Sequence, residues 1–402
     1  MSDVPVHKEE RKPRLKFIDM ARSLAILMML EGHFTGAALD WSYRDPELPL
    51  FHIWHIIHGL TSPLFFTVTG LIFAYLLTAD NKISFWKNPR IKKGRKRVFQ
   101  LLFWGYIIQL NLYVFFKSVY YGGAFYFDWF YAFHVLQAIA FGLAILIIVY
   151  GIYKWLNWGA LHWYYLITGI AMFTVYAYLK TYIRADEELL KASVDAVPHY
   201  FPSGAPKFIQ NMFYGQYSSF SFVRWSGYTI FGGAIGCFVR AYEHRVKEFR
   251  FGLTFIIVGL LVSLFAKDGT MLWDDFTEWL GLFDKGYAHM MATSLSRFGQ
   301  VIVLLGILIL IDKFVNVKAK LFLKIGQRTF PIYVVHVMIL YGGLFGFGLK
   351  PDVFDRNLDP WSAVAISTFA MFCFIMMVKY IEPLERAYNR VLRALRLKKK
   401  DS

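Results

Sequence analysis

Residues 17–38 read FIDMARSLAILMMLEGHFTGAA, and this stretch decides the fold. It is long and apolar enough to cross a bilayer, which takes about 20 residues. It nevertheless contains Asp19, Arg22, Glu31 and His33. Ionisable groups at membrane depth are costly, and they persist mainly where they face a bundle interior, a cavity or one another. The stretch therefore predicts a transmembrane helix that forms one wall of a polar passage.

Helical geometry decides which of these side chains lie together. At about 100° per residue, Asp19, Arg22, Met29 and His33 share one face, whereas Glu31 is turned away from it. Along that face Arg22 and His33 are about 16 Å apart at 1.5 Å per residue. The arrangement favours a continuous hydrophilic passage, with a charged pair at one end and a titratable imidazole at the other. In the alternative interpretation, Asp19 and Arg22 form a salt bridge at the helix end and His33 is an ordinary interfacial histidine. This stretch alone does not decide between the two.

The composition extends this interpretation to the whole chain. The protein has 402 residues, of which 57% are hydrophobic and 19% aromatic. A soluble chain of this length would not carry so many long apolar runs, so we expect an all-α, polytopic integral membrane helical bundle. We predict about ten transmembrane helices, near 17–38, 53–78, 98–120, 129–152, 160–182, 218–241, 251–267, 296–315, 329–349 and 360–382.

The charges between these segments alternate along the chain. The formal net charge is +16, and the basic residues cluster before the first span, after the second, sixth and eighth spans, and in the tail. The remaining loops are neutral to acidic. By the positive-inside rule, both termini are expected in the cytoplasm, and the positive charge does not indicate nucleic acid. The expected units are a basic N-terminal segment (1–16), a membrane domain (17–384) and a basic tail (385–402).

Histidines gather at the level predicted for the outer surface. His33 lies near the outer end of the first span, HIWHIIHGLTSP opens the second with His52, His55 and His58, and His134 opens the fourth. A neutral imidazole accepts a proton near neutral pH, as the general base of acyl transfer must. Interfacial histidines that merely tolerate the headgroup region are the alternative. A metal site is not expected, because the three histidines of the second span rotate around the helix without a strong carboxylate or cysteine partner.

The opposite side of the membrane has a dense cationic loop, FWKNPRIKKGRKR at 85–97. Arg90, Lys93 and Arg97 would suit the phosphates of a coenzyme A, although such loops also serve topology and anionic lipid. The pantetheine arm of that donor is on the order of 15 Å long, close to the Arg22–His33 separation.

Three further polar residues lie within predicted spans. Tyr333 and His336 belong to the ninth span. Arg224 lies near the outer start of the sixth, where it would bind an acceptor or extend its charged end to the interface.

Several motifs resemble a known group. DMARSLAILMMLEGH (19–33) and PLFFTVTG (63–70) resemble the integral-membrane acyltransferase superfamily, acyltransferase family three. HVLQAIAFGLAIL (134–146), VRWSGYTIFGGAIG (223–236) and GQRTFPIYVVH (326–336) resemble its branch containing heparan-α-glucosaminide N-acetyltransferase and bacterial relatives. The resemblance implies an acyl-CoA donor, most often acetyl-CoA, that enters from the cytoplasm, and an acceptor outside.

The resemblance also suggests roles for residues. His33 corresponds to the superfamily's catalytic first-span histidine. In the heparan branch a catalytic histidine instead precedes the second span, where His52 and His55 are the nearest counterparts. Of the superfamily's paired arginines at the start of the third span, Arg97 matches one, whereas Lys93 stands where the other would be.

We therefore expect a membrane acyltransferase that moves an acyl group, with acetyl preferred, from acyl-CoA to a hydroxyl or amine of a sugar or glycan. Asp19 and Arg22 would form the floor of the donor site, whereas His58, His134, Arg224, Tyr333 and His336 would surround the acceptor. The expected partners are acyl-CoA, the glycan and membrane lipids, and a homodimer is left open. Both cysteines fall in apolar segments, so the predicted outer loops have none that could form a disulfide. This favours a bacterial inner membrane as the expected location. A transporter or flippase for a sugar, lipid or proton-coupled solute is the rival hypothesis.

Overall fold

The structure is a computed structural model that describes residues 15–80, 83–123, 128–192, 202, 204–215, 220–315 and 319–398. Within these ranges the chain is helical, with two isolated β-bridges and no β-strand. The predicted all-α class is confirmed. Most of the predicted N-terminal segment, residues 1–14, lies outside the described residues.

The described ranges contain fifteen α-helices. They are α1 Lys16–Ala38, α2 Pro49–His58, α3 Thr61–Leu77, α4 Pro89–Ile107, α5 Leu112–Tyr121, α6 Val135–Leu156, α7 Leu161–Ala192, α8 Lys207–Phe213, α9 Phe222–Ala241, α10 Phe249–Leu264, α11 Ala266–Trp279, α12 Ala292–Phe314, α13 Lys320–Gln327, α14 Thr329–Tyr341 and α15 Pro360–Lys398.

Four helical segments in the described part of the chain are long and apolar enough to cross a membrane. They are Pro49–Leu77, Val135–Leu156, Ala288–Phe314 and Pro360–Pro383. The pair α10 and α11, bent by 65°, makes a fifth if it counts as one span. This finding supports a helical membrane protein, but it does not establish the ten spans that the sequence predicts.

Two predicted spans are wrong as single helices. The third, 98–120, divides into α4 and α5, because Asn111 leaves the helix and its Oδ1 accepts the N–H of Val114 at 3.0 Å. Asparagine favours such capping positions over helix interiors. The ninth span ends at Tyr341 rather than at 349, because Gly342 takes a left-handed conformation with φ of 72°. Glycine adopts that conformation without the steric cost that a Cβ imposes.

Glycines let the central helices approach closely, and the sequence GYTIFGGAIG at 227–236 predicts such packing because it places four glycines in one apolar helix. A Cβ at Gly232 would overlap the Thr67 carbonyl oxygen, and one at Gly236 would overlap that of Leu71, so α9 packs directly on the backbone of α3. Small residues provide this kind of close packing in membrane bundles. On the outside of the bundle, large apolar side chains remain exposed, as a lipid-facing surface requires; examples are Phe99, Ile148, Ile167, Leu260 and Phe369.

Helix α1 lies at the centre of the fold, in contact with α3, α12, α13, α14 and α15. The short helix α13 fixes its N-terminal part. The Ser23 hydroxyl donates to the Phe322 carbonyl at 2.5 Å, and the Gly326 N–H donates to Ser23 Oγ at 2.9 Å. A Cβ at Gly326 would overlap the Asp19 carbonyl oxygen. The polar face of α1 is therefore held in a fixed position relative to α14, which follows α13 directly.

Candidate active site

The C-terminal end of α1, which the sequence predicts on the outer side of the membrane, carries a cluster of titratable rings centred on His33, named here the outer cluster. His33 Nδ1 lies 2.5 Å from the hydroxyl of Tyr341, the last residue of α14. The ring of His336 meets His33 edge-on, with 5.3 Å between ring centres. His336 is fully buried, whereas His33 is partly exposed. A partly exposed imidazole with one nitrogen engaged is suited to accept a proton at the other nitrogen.

Helix α2 adds a second histidine to this cluster. The His58 ring occupies the space beside Gly32, where a Cβ would overlap it. Trp54 stacks on His58 with 5.0 Å between ring centres and 6° between planes. Trp54 Nε1–H donates to Glu31 Oε1 at 2.8 Å, and the Thr35 hydroxyl donates to the same oxygen at 2.9 Å. Glu31, which is turned away from the polar face of α1, thus anchors α2 against the outer cluster.

A cavity of about 210 Å³, named here the inner cavity, opens beside the N-terminal half of α1, which the sequence predicts on the cytoplasmic side. Its polar lining includes Arg22, Arg97, Thr329 and Tyr333, among mostly apolar residues of α3, α4 and α6. Arg22 Nη2 donates to Thr329 Oγ1 at 3.4 Å, and Arg22 Nη1 lies 4.0 Å from Asp19 Oδ1. Two guanidinium groups therefore line a mostly apolar cavity, whereas Asp19, the other residue of the predicted donor floor, is not among its lining residues.

Helix α4 continues this positive surface outside the cavity. The Arg97 guanidinium lies 4.5 Å from the centre of the Phe330 ring, while Arg90 and Lys93 are exposed nearer the start of the helix. Spacings of seven and four residues place both on roughly the same helix face as Arg97. The Asn88 side chain accepts the Arg90 N–H at 2.8 Å and caps the helix. Cationic side chains thus lie at the N-terminal end of α4, where the helix dipole is also positive.

Two side chains of α14 connect the inner cavity with the outer cluster. Tyr333 lines the cavity, and its ring centre is 5.0 Å from that of His336, which in turn contacts His33. The cavity lining includes Arg22 but not His33. The predicted continuous passage is therefore not found: the cavity ends before His33, and Tyr333 and His336 of α14 lie between the two.

The other predicted histidines of α2 lie elsewhere. His52 and His55 are both exposed, and the His55 ring stacks on Phe51 with 5.9 Å between centres. Neither has a ring contact with His33 within the described residues. Of the three histidines in HIWHIIH, the structure brings only His58 to the first helix.

Two predicted acceptor residues have structural roles. The backbone N–H of His134 donates to the Gln137 side chain at 3.3 Å, where α6 begins. Arg224 Nε donates to Ser294 Oγ at 3.0 Å, and its guanidinium lies 5.3 Å from the centre of the Tyr176 ring. These contacts tie α9 to α12 and α7, and they account for Arg224 without a ligand.

Sequence reasoning missed Tyr341 and Trp54. Tyr341 lies eight residues after Tyr333 in α14, and Trp54 stands inside the histidine run. Aromatic residues are common at membrane interfaces, so neither position gave a signal of its own. Within the described ranges, no group of three or more His, Cys, Asp or Glu side chains is placed to hold a metal ion.

Fold and site together define a helical membrane protein in which an outer histidine cluster adjoins an internal, arginine-lined cavity. The sequence model of the heparan-α-glucosaminide N-acetyltransferase catalytic domain matches residues 14–260, more than half of the chain. The chain belongs to this family, which indicates a membrane acetyltransferase and supports the heparan branch of the predicted resemblance. A comparison with curated proteins finds no match. The matched range includes His33 and Arg97 and ends before α14.

Proposed function

We propose that this protein transfers an acetyl group from acetyl-CoA, bound from the cytoplasm, to an amine or hydroxyl of a sugar or glycan on the outer side. The proposal includes ten spans, cytoplasmic termini and a bacterial inner membrane. Its main support is the contact series from the inner cavity through Tyr333 and His336 to His33. Membership of an acetyltransferase family supplies the reaction class.

The donor site extends from the mouth of α4 into the cavity. Arg90 and Lys93 would hold the nucleotide phosphates at the membrane surface, with Arg97 at the cavity. Arginine forks and lysine point charges are common phosphate partners. The pantetheine arm, on the order of 15 Å long, would then reach along α1 towards His33. For this to happen the buried side chains of Tyr333 and His336 must move aside, which requires helix shifts on the microsecond-to-millisecond timescale.

His33 would act as general base. In the tautomer with a proton on Nδ1, the ring donates to the Tyr341 oxygen at 2.5 Å, and the lone pair of Nε2 faces the acceptor. The acceptor nitrogen or oxygen attacks the thioester carbonyl as Nε2 takes its proton. The new C–N or C–O bond forms, the C–S bond breaks, and the proton passes to the departing coenzyme A sulfur. His52 and His55 remain rival bases from the family resemblance.

The test uses the purified full-length protein in liposomes with radiolabelled acetyl-CoA. We expect acetyl-CoA and CoA to raise the midpoint of thermal unfolding, and glucosamine to receive the label. A transporter or flippase would move the sugar without acetylating it, and CoA would not stabilise it. Sugar flux without transfer, or an unfolding midpoint that acetyl-CoA leaves unchanged, would contradict the proposal.

A further inference from the structure

Helices α10 and α11 form an elbow, because the chain turns by 65° at Phe265, the residue between them. Before the elbow, α10 packs on α12 with the two backbones in contact. A Cβ at Gly259 would overlap the Gly299 carbonyl oxygen, and one at Gly299 would overlap the Ser263 backbone nitrogen. After the elbow, α11 turns away from the direction of α10, so a wedge-shaped space opens between α11 and α12.

A cavity of about 380 Å³ occupies this space and is named here the elbow cavity. Four helices contribute to its walls, with apolar or aromatic side chains; the lining includes Phe173 of α7, Leu261 of α10, Gly269 and Trp273 of α11, and Leu295 of α12. Sites for small molecules usually have volumes of about 300–1,000 Å³ and mostly apolar walls. The size and the walls of the elbow cavity therefore suit an apolar ligand.

Hydrogen bonds hold the walls of the elbow cavity in place. Trp273 Nε1–H donates to Thr174 Oγ1 at 3.0 Å, which fixes α11 on α7. The Asp274 carboxylate accepts the N–H of Gly286 at 2.6 Å and that of Ala288 at 3.4 Å, so the segment after α11 is tied back to the helix. The elbow cavity is therefore formed by the fold before any ligand binds.

Gly269 keeps the elbow cavity open. Among the described residues, a Cβ at this position would meet no atom within 4 Å, whereas Gly232 and Gly236 pack directly on the backbone of α3. Glycine inside a helix is destabilising relative to alanine. Close packing offsets that cost at Gly232 and Gly236, and a ligand in the elbow cavity would offset it at Gly269.

The mouth of the elbow cavity lies on an apolar surface. Leu261 and Phe265 line the cavity and are themselves largely exposed, as are the neighbouring side chains of Leu264 and Leu272. Helices α10 and α11 together are long and apolar enough to count as one candidate membrane span. The surface around the mouth therefore faces the hydrocarbon of the bilayer.

The two exposed sides of α11 place the elbow cavity at a defined depth. Asp268, Asp275 and Glu278 lie on one side of the helix, and Leu272 and Phe276 lie on the adjacent side. An amphipathic helix of this kind lies along the boundary between lipid headgroups and acyl chains. The elbow cavity, beside α11 and α10, therefore lies where the acyl chains begin.

We propose that the elbow cavity binds one acyl chain of a membrane phospholipid, from the leaflet in which α11 lies. The chain enters past Leu261 and Phe265, and its methylene groups lie against Phe173, Gly269 and Leu295. Because hydrocarbon also surrounds the mouth, van der Waals packing in a fitting shape holds the chain there, rather than the hydrophobic effect.

A single chain fits this space better than a second copy of the protein does. A helix with its side chains is about 10–12 Å wide, which is too thick for a cavity of this volume. The inference is independent of the proposed reaction, because the walls of the elbow cavity include neither the outer cluster nor the lining of the inner cavity.

The experiment uses the full-length protein in vesicles of phosphatidylethanolamine and phosphatidylglycerol. A small fraction of the phosphatidylethanolamine has a photoreactive diazirine in one acyl chain. Irradiation attaches this lipid to the residues that its chain contacts, and mass spectrometry of peptides locates the label. We expect labelling of Leu261 and Leu295 to exceed that of Phe369, an exposed side chain on α15, by about fivefold, as a modest packing preference gives.

Gly269→Leu should remove most of the label from Leu261 and Leu295, because the new side chain extends into the elbow cavity. The helix should tolerate the change, since the Cβ meets open space and leucine is a better helix former than glycine. Leu272→Phe is the matched control. It adds bulk to an exposed position of the same helix outside the cavity lining, so it should keep the label.

Several results would overturn the lipid site. Equal labelling of Leu261 and Phe369 would mean ordinary contact with the surrounding bilayer, and no label at the elbow cavity would mean that something else, such as a second copy, covers the mouth. Retention of the label in Gly269→Leu, or its loss in Leu272→Phe, would also contradict the site. If Gly269→Leu does not fold, Leu261→Trp decides the outcome, because its large ring at the exposed mouth should remove the label from Leu295.

Discussion

The inner cavity and the outer histidine cluster share α1 and α14 but hold their polar groups differently. In the cavity, Arg22 and Arg97 stand among apolar side chains, supported by the Thr329 hydroxyl and the Phe330 ring. In the outer cluster, His33 and His58 are enclosed by other rings. The cavity thus offers fixed positive charge and shape, whereas the cluster offers proton acceptors with defined orientation.

Under the proposed function, this difference assigns donor binding and proton transfer to opposite ends of α1. Guanidinium groups stay charged at any working pH, so they are suited to hold phosphates and cannot act as bases. Imidazoles accept and release protons near neutral pH. The predictions below test whether each end does its own task.

The largest expected effect belongs to His33→Ala. We expect transfer to fall by about 10²–10⁴-fold, the usual contribution of a general base. Acetyl-CoA binding, measured by thermal stabilisation, should be unchanged because the donor site lies at the other end of α1. His52→Ala and His55→Ala are the matched comparisons, since both side chains are exposed on α2. If either of these abolishes transfer while His33→Ala does not, the base lies on α2.

Arg97→Met should act on the donor end alone. The variant keeps an apolar stem beside Phe330 but removes the charge, so we expect KM for acetyl-CoA to rise about 10–100-fold, with kcat changed little. Arg95→Met is the control, because Arg95 is exposed two residues away on a different face of α4. Equal effects of the two variants on KM would show that only the overall basic charge of the loop matters.

Gly32→Ala should disturb the outer cluster through packing. The new Cβ would overlap the His58 ring and displace it, at a cost of about 1–3 kcal/mol in the free energy of unfolding. Gly36→Ala, one turn further along α1, meets open space. It should be neutral or stabilise by up to about 1 kcal/mol, as alanine does in helices. The measurement is unfolding in detergent, with transfer assayed in parallel. Equal stability of the two variants would mean that His58 is not packed against α1.

The sequence predicts the polar face of α1 well, because helical periodicity depends only on spacing. Arg22 lines an internal cavity and His33 contacts other titratable rings, whereas the continuous passage predicted between them is not found. The predicted close packing of α9 at Gly232 and Gly236 is confirmed. The sequence could predict it because small residues at a regular interval of an apolar helix usually mark a helix–helix contact.

Hydropathy and residue spacing do not predict the structure where a contact between distant parts of the chain determines it. The predicted third span contains Asn111, and hydropathy does not show whether such a residue stays in a helix. Here the helix is interrupted at Asn111, where the next N–H, that of Leu112, donates to the Leu344 carbonyl at 2.9 Å in the loop after α14. The three histidines of α2 look equivalent in sequence, yet only His58 finds the gap beside Gly32. The contact between Tyr341 and His33 joins residues far apart in the chain, which no local pattern reports.

Tyr341→Phe has the smallest expected effect and asks what orients the base. The variant removes one hydroxyl at a partly exposed position, and a net hydrogen bond contributes about 0.5–1.5 kcal/mol, so kcat should fall about fivefold with KM unchanged. Tyr43→Phe, in an exposed turn after α1, is the control and should leave kcat unaltered. Under the proposed function the reduction has a specific origin: the Tyr341 oxygen, 2.5 Å from Nδ1, is placed to accept the Nδ1–H, and that tautomer leaves Nε2 able to accept a proton. An unchanged kcat would mean that the edge-on contact with His336, and not the Tyr341 hydroxyl, orients the His33 ring. Ring packing would then hold the base in place, much as the Phe330 ring packs against Arg97 in the inner cavity.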